Sequence, residues 1–415
     1  MRHVRYTRDL LGVTESPMVQ IATAAEQMPG SLKLCYGESD VPTPSFICDA
    51  ADAAMQAGHT FYTHTAGASE LREAIARKIL ELHGVDYQPS EIIATVGGSM
   101  AIYAAIRAFV ARGSNAVIVS PAYAIYSNAA IMAGGEPRAV PLRHDGGRFH
   151  LDLDRVRAVI DANTRMVIVN SPSNPTGWMI SADEQRALLD LAEAHDLVIL
   201  SDEVYERLVY DKPSTFAQSA SADEKGLSPL EGLSPQVAPS FARLAHDRDR
   251  LIVVNSFSKT YNMTGWRLGW AQGSEATIKT MYRAVEFMTS NPSAMVQQAG
   301  IVALRDGESC IRDLRAHYAA RRADVMAALS MLPGVALPEP QGSFFAFPRI
   351  EGLADSTAFA KTLLRDTGLA IAPGVGFGES GEGYVRICFA ASQPTVSEAL
   401  TRFSGWLSRQ GEPSR

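Results

Sequence analysis

The sequence is short of cysteine. Four stand in 415 residues, Cys35, Cys48, Cys310 and Cys388, and no two form a C-x-x-C pair. That argues against a disulfide framework and predicts reduced, mostly buried thiols. No run of about 18 apolar residues occurs, and the opening MRHVRYTRDL lacks the apolar core of a signal peptide. A basic excess is missing too: 38 Lys and Arg face 45 Asp and Glu, for a net charge of −7. Nucleic-acid binders carry a clustered positive footprint, so neither nucleic acid nor membrane is an expected partner. What is present is 46% hydrophobic residues over a length that suggests two or three domains. The expectation is a soluble, cytoplasmic protein with no metal site.

Apolar runs recur between turn signals: Ala116–Val119, Met166–Val169, Leu197–Leu200 and Leu251–Val254. Continuous apolarity suits strands buried on both faces of a parallel sheet. Helical patterns lie between some of them. Ser181-Ala-Asp-Glu184 reads as a capping box. Another helix opens at Ser69, carries Leu71, Ile75, Ile79 and Leu82 on one face, and stops at Gly84. Strands alternating with helices predict an α/β fold: a large domain with a mostly parallel sheet flanked by helices, plus a smaller α+β domain. The division expected is an N-terminal arm and part of the small domain over 1–47, the large domain over 48–295, and the small domain over 296–415. Residues 212–249, rich in Ser, Pro and Ala, read as a surface insertion with a short echo, Gly226–Pro229 and Gly232–Pro235.

The junctions after the strands carry the chemistry. The four runs end directly before Ser120-Pro121, Asn170-Ser-Pro, Ser201-Asp202-Glu203 and Asn255-Ser256. Ligands of open α/β sheets sit outside the carboxyl ends of the strands, so four strands deliver polar residues to one rim. Beyond the last run stands Lys259, with Arg267 eight residues on between Gly265 and Gly269. A neutral lysine can form a Schiff base, and a guanidinium grips phosphate in a fork. A phosphorylated aldehyde would satisfy both, with Ser256 and Ser258 donating further bonds. Val96-Gly-Gly-Ser-Met100 precedes a helical pattern over Ala101–Val110, and its small residues let N–H groups approach a phosphate. Asp202 at a strand end suits a partner for a protonated pyridine nitrogen. Asn174, in a dense set of turn formers, offers a donor and an acceptor at one rigid place.

Taken in order, N-P-T-G (174–177), S-D-E-V-Y (201–205), S-x-S-K (256–259) and G-x-R-x-G (265–269) resemble the pyridoxal-phosphate (PLP) aminotransferases of fold type I, class I/II. The likeness runs from Tyr36–Asp40 through Tyr384–Ile387. It implies that Lys259 holds the cofactor as a Schiff base and shuttles the proton, that Asp202 pairs with the pyridinium, and that Tyr205 and Asn174 bond the ring hydroxyl's oxygen. Tyr123 matches the stacking aromatic. Gly98, Ser99, Met100, Ser256 and Arg267 match the phosphate holders. Tyr62 matches a tyrosine supplied across a subunit interface, which implies a homodimer with shared active sites. Arg386 matches the clamp for the substrate α-carboxylate, assisted by Gly37 and Asn174. The activity implied is ping-pong transfer of an amino group from an amino acid to a 2-oxo acid.

Two other readings share these residues. A lyase, decarboxylase or synthase of the same fold would use the same early chemistry. A cofactor-sensing regulator would need a further DNA-binding domain, and only about forty residues precede Gly37. The sequence departs from dicarboxylate-specific members of the family at two places. Ser99 and Glu286 stand where such members carry positive charge, so a preference for neutral donors over aspartate is expected.

Overall fold

The four uninterrupted apolar runs all become strands of one seven-stranded sheet. The structure is a computed structural model that describes residues 6–13, 15–145, 147–210 and 236–410. The sheet contains β1 (Ile92–Thr95), β2 (Asn115–Ser120), β3 (Glu136–Pro141), β4 (Thr164–Asn170), β5 (Val198–Asp202), β6 (Leu251–Ser256) and β7 (Gly269–Gln272). Their spatial order is β1-β7-β6-β5-β4-β2-β3. Strands β2 to β6 run parallel to one another, and β7 is antiparallel to both β1 and β6. Every residue of β2, β5 and β6 is buried, which is why their apolarity is continuous rather than alternating. The edge strand β3 buries only Val140.

Helices form where their end signals were legible. Ser181 Oγ accepts from Glu184 N at 3.2 Å while Glu184 Oε2 accepts from Ser181 N at 2.8 Å, so the capping box closes in both directions. The helix Ser69–His83 stops at Gly84, whose φ of +69° is left-handed. The helix after β1 spans Gly97–Phe109 and so begins four residues before the expected Ala101. Gly97 and Gly98 therefore belong to its first turn rather than to a preceding loop.

A smaller layer is built around Val385–Cys388. That strand is the centre of a three-stranded antiparallel sheet between Phe345–Ala346 and Ala372–Pro373. Leu32–Lys33 pairs in parallel with Leu369–Ala370, which ties the start of the chain to its last third. The helix Pro17–Glu26 docks through Ile21, Ala22 and Ala25. A bidentate pair between Arg207 and Glu308 (2.9 and 2.8 Å) fixes the start of the long helix Glu308–Leu329 to the segment after β5. Among the described residues, no helix is long and apolar enough to cross a membrane.

The echo Gly226–Pro229 and Gly232–Pro235 lies outside the described residues. Part of the stretch read as a surface insertion, however, is interior: Ala238, Ser240, Phe241 and Ala242 are buried, while residues 243–249 stay partly or fully exposed. Phe241 N donates to Glu203 Oε1 at 3.2 Å, so this irregular segment is held by one buried carboxylate, a contact invisible to periodicity.

Glu203 also accepts from Ser201 Oγ at 2.8 Å and lies in a buried group with His83 and Glu206. Burial, opposed by His83 and reinforced by Glu206, pushes its carboxyl up to about 7. A raised carboxyl pKa means that the folded state holds a proton the unfolded state releases. The resulting stabilisation is full below pH 4.5 and lost as pH rises through about 7. Glu203→Gln should flatten that fall, which amounts to about 3 kcal/mol. Urea unfolding of both proteins across pH 4.5 to 8 is the measurement, and parallel curves would assign the proton elsewhere.

Candidate active site

Ser256 ends β6, and its Oγ accepts from Ser258 N at 3.1 Å, capping a single helical turn over Phe257–Thr260. That turn lifts Lys259 off the sheet. Its Nζ donates to Gly37 O at 2.5 Å and makes no salt bridge with a described residue. Burial lowers the Lys259 pKa to about 8, and Arg386 and Arg267 add to the effect against Cys388 and Glu38. A lysine so placed has an appreciable neutral fraction near neutral pH, the form that attacks a carbonyl.

Asp202 ends β5 and is 3% exposed. Burial raises its carboxyl to about 6, despite a 2.6 Å bond from Tyr126 Oη and a 3.2 Å bond from Val204 N. Tyr126 is a member of the site that the motif reading missed. It is fully buried in the helix Ile125–Met132, three residues after Tyr123, and nothing in the local sequence distinguishes it from a core tyrosine. Asn170 was missed as well. It donates from Nδ2 to Asp202 O (3.0 Å) and accepts from Asn174 N (2.7 Å), locking the ends of β4 and β5 together. Its place at the last position of a buried strand was the available signal.

Asn174 then reaches the other layer. Its Oδ1 accepts from Arg386 Nη1 at 2.9 Å. Arg386, in the central strand of the small sheet, is 1% exposed. Its guanidinium lies against the rings of Phe345 and Phe377, 4.4 and 4.9 Å from their centroids. Nη2 donates to Cys35 O and to Met18 Sδ, while Nε has no partner among the described residues. Burial lowers the pKa of this cation, so an incoming carboxylate would relieve a desolvated charge. Tyr205 is buried beside the same aromatic wall, edge-on to Phe344 and Phe345.

Around the first turn of Gly97–Phe109, small residues permit close approach. A Cβ on Gly97 would sit 2.3 Å from Arg267 Nη2, and one on Gly269 would sit 2.6 Å from Gly98 N. Only glycine lets the guanidinium lie against that turn, and Gly97 also holds φ +76°. Arg267, itself at φ +53°, is steadied by Nη1 donating to Thr264 O at 2.8 Å. Ser256 lies beside Gly98, its Cβ 3.5 Å from where a Gly98 Cβ would be. Ser99 and Met100 follow on the helix, partly buried. The helix start, Arg267 and Ser256 thus form a cradle for an anion.

Tyr123 is 37% exposed at the end of β2, with its ring edge-on to Tyr126. Gly37 brings its carbonyl to Lys259. Tyr62 differs from the rest: it is 89% exposed, next to Phe61 at 82%, and belongs to the surface of the single chain. Glu286 is exposed on the helix Glu275–Met288, so within one chain it does not line this pocket.

The sequence matches the family profile described as "Aminotransferase class I and II" over residues 29–403. It is 34% identical over 396 residues to an aspartate aminotransferase of Pyrococcus horikoshii, covering 95% of each chain. It is also 34% identical to an aromatic-amino-acid aminotransferase 2 of Thermococcus litoralis, covering 94% of this chain and 95% of that one. The fold matches the crystal structure of an aromatic aminotransferase from Pyrococcus horikoshii with a TM-score of 0.82 and 33% identity, over 94% of this chain and 99% of the other.

Proposed function

The chain belongs to the class I and II aminotransferase family and is a PLP-dependent transaminase working by a ping-pong cycle through a lysine Schiff base; on that premise we propose that Lys259 is the lysine and that the residues gathered around it are the active site. The observation that carries the assignment is the Lys259 amine itself, part-buried on a backbone carbonyl, without a carboxylate partner among the described residues and shifted to about 8. The surroundings fit the cofactor. The Gly97 turn leaves room for Arg267 and a phosphate, and Asp202 is a buried carboxylate whose raised pKa a pyridinium would restore to the charged form.

When bound, the cofactor supplies an electron-withdrawing ring that stabilises negative charge at the substrate's Cα. Arg267, Ser256 and the N–H groups from Gly98 to Met100 would hold its phosphate. Tyr123 would cover its ring, and Tyr205 and Asn174 would bond the ring oxygen. Arg386 binds the donor's carboxylate and, with Asn174 and Gly37, fixes which Cα bond faces Lys259. Nζ of Lys259 takes the proton from Cα and returns it on the other side of the reaction. The apolar wall of Phe345 and Phe377 excludes water from these charges, which strengthens each of them. The division into 1–47, 48–295 and 296–415 remains our reading of the domains. Cytoplasmic residence is supported by four cysteines that are all free.

The preferred donors are neutral amino acids. Ser99 itself brings no positive charge, and the side chains that meet Arg386, those of Met18, Asn174, Phe345 and Phe377, are all uncharged. The two named relatives have an aspartate and an aromatic activity at equal identity, so their names do not choose. With 2-oxoglutarate fixed as acceptor, kcat/KM should be higher for leucine, phenylalanine or alanine than for aspartate. Aspartate as the best donor would overturn this choice, and absence of amino transfer to every 2-oxo acid tried would overturn the assigned site.

Tyr62 serves the neighbouring subunit of a homodimer in this reading, which its 89% exposure and that of Phe61 support. Lys259→Ala and Tyr62→Ala proteins, each impaired alone, should regain activity when mixed and allowed to exchange subunits. One of the two sites in the mixed dimer would then combine Lys259 with a native Tyr62. Unchanged activity after exchange seen by native mass spectrometry would place Tyr62 in its own chain's site.

A further inference from the structure

Met18 sits where the donor's carboxylate has to arrive. Its sulfur meets Arg386 Nη2 at 3.3 Å, on a guanidinium whose Nε has no partner among the described residues. A thioether is a weak acceptor, and a carboxylate forms far stronger, charge-assisted bonds with the same donors. The helix Pro17–Glu26 that carries Met18 is anchored independently. Ile21, Ala22 and Ala25, on the same stripe at helical spacing, are buried, and Glu26 Oε1 accepts from Tyr36 Oη at 2.9 Å. Met18 itself is only partly buried, and its backbone passes close to Gly376, one residue before the Phe377 ring that covers Arg386. An unbranched side chain with three rotatable bonds can leave the guanidinium without moving its helix.

We propose that Met18 caps Arg386 while no donor is bound, and that the carboxylate of a donor displaces its sulfur, leaving the thioether as the apolar wall against which the donor's side chain packs. The proposal rests on Arg386 being the carboxylate clamp. It makes Met18 a specificity residue: an aliphatic or aromatic donor side chain gains contact with the displaced thioether, whereas a second carboxylate meets a surface without positive charge. Alanine is too short to reach the wall and should be indifferent to it.

Steady-state kinetics of the holoenzyme with alanine, leucine, phenylalanine and aspartate test this in wild type, Met18→Ala, Met18→Leu and Arg386→Ala. Met18→Ala should raise KM for leucine and phenylalanine about tenfold, with kcat and the KM for alanine changed less than about twofold. Met18→Leu restores an apolar wall and should recover both KM values. A uniform change for all four donors would make Met18 merely structural, and no change would remove it from the pocket; either result overturns the proposal. Arg386→Ala separates the two readings. If it weakens every donor while Met18→Ala leaves selectivity flat, only the role of Met18 fails. If Arg386→Ala keeps wild-type KM values, the clamp itself is wrong and the role of Met18 falls with it.

Discussion

Lys259→Ala should abolish turnover while leaving the cofactor bound. In the proposed site the amine lost would be both the point of attachment and the group that moves the Cα proton, whereas the proposed phosphate cradle of Arg267, Ser256 and the Gly97–Phe109 helix start would be untouched. General acid–base catalysis alone contributes roughly 10²- to 10⁴-fold, and removal of the covalent attachment adds to it. Two measurements check the assignment. Borohydride reduction of the wild-type holoenzyme, followed by peptide mapping, should find the pyridoxyl group on Lys259. Equilibrium dialysis should show Lys259→Ala still holding cofactor. A label on any other lysine would sink the assignment, whatever the activity of the variant.

Asp202→Ala is expected to lower turnover at least ~100-fold, the scale of losing a preorganised electrostatic partner. Cofactor retention should suffer much less. The structure adds a reason to expect the loss in the proton-transfer step. Asp202 is buried with its carboxyl raised to about 6, and Tyr126 and the Val204 N–H are donors that stabilise its negative form against that burial. Tyr126→Phe should therefore move activity in the same direction by less, about tenfold, as fits one hydrogen bond to a charged group. A primary isotope effect on Cα–H that grows in Asp202→Ala would identify the slowed step. Near-normal turnover in Asp202→Ala would show that another group protonates the ring.

The chemistry at the strand ends was legible because it follows from local rules. A strand buried on both faces must be apolar along its length, so its first polar residues mark its end. Ser120, Asn170, Asp202 and Ser256 are the last residues of β2, β4, β5 and β6. Lys259 could be placed for the same reason: one capped helical turn separates it from Ser256. Capping boxes and glycine stops were equally readable, since each depends on residues within one turn of each other.

Sequence alone determined the α/β class, the rim to which the polar residues are delivered, and the residue types that could hold a phosphorylated aldehyde. Tertiary structure decided the rest, because the deciding contacts join residues far apart in the chain. Tyr126 and Asp202 are 76 residues apart, and Asn174 and Arg386 are 212 apart. Met18 and Arg386 are 368 apart. None of these pairs has a local signature, since a tyrosine or a methionine at helical spacing reads as core until its neighbour across the fold is known. The interior position of Phe241 was hidden in the same way: a buried carboxylate, not a periodic pattern, holds its segment. Burial sets the state of the two ionisable groups at the centre, because desolvation is the largest influence on both Lys259 and Asp202. A sequence can name such groups, but their charge depends on how much water the packed layers leave beside them.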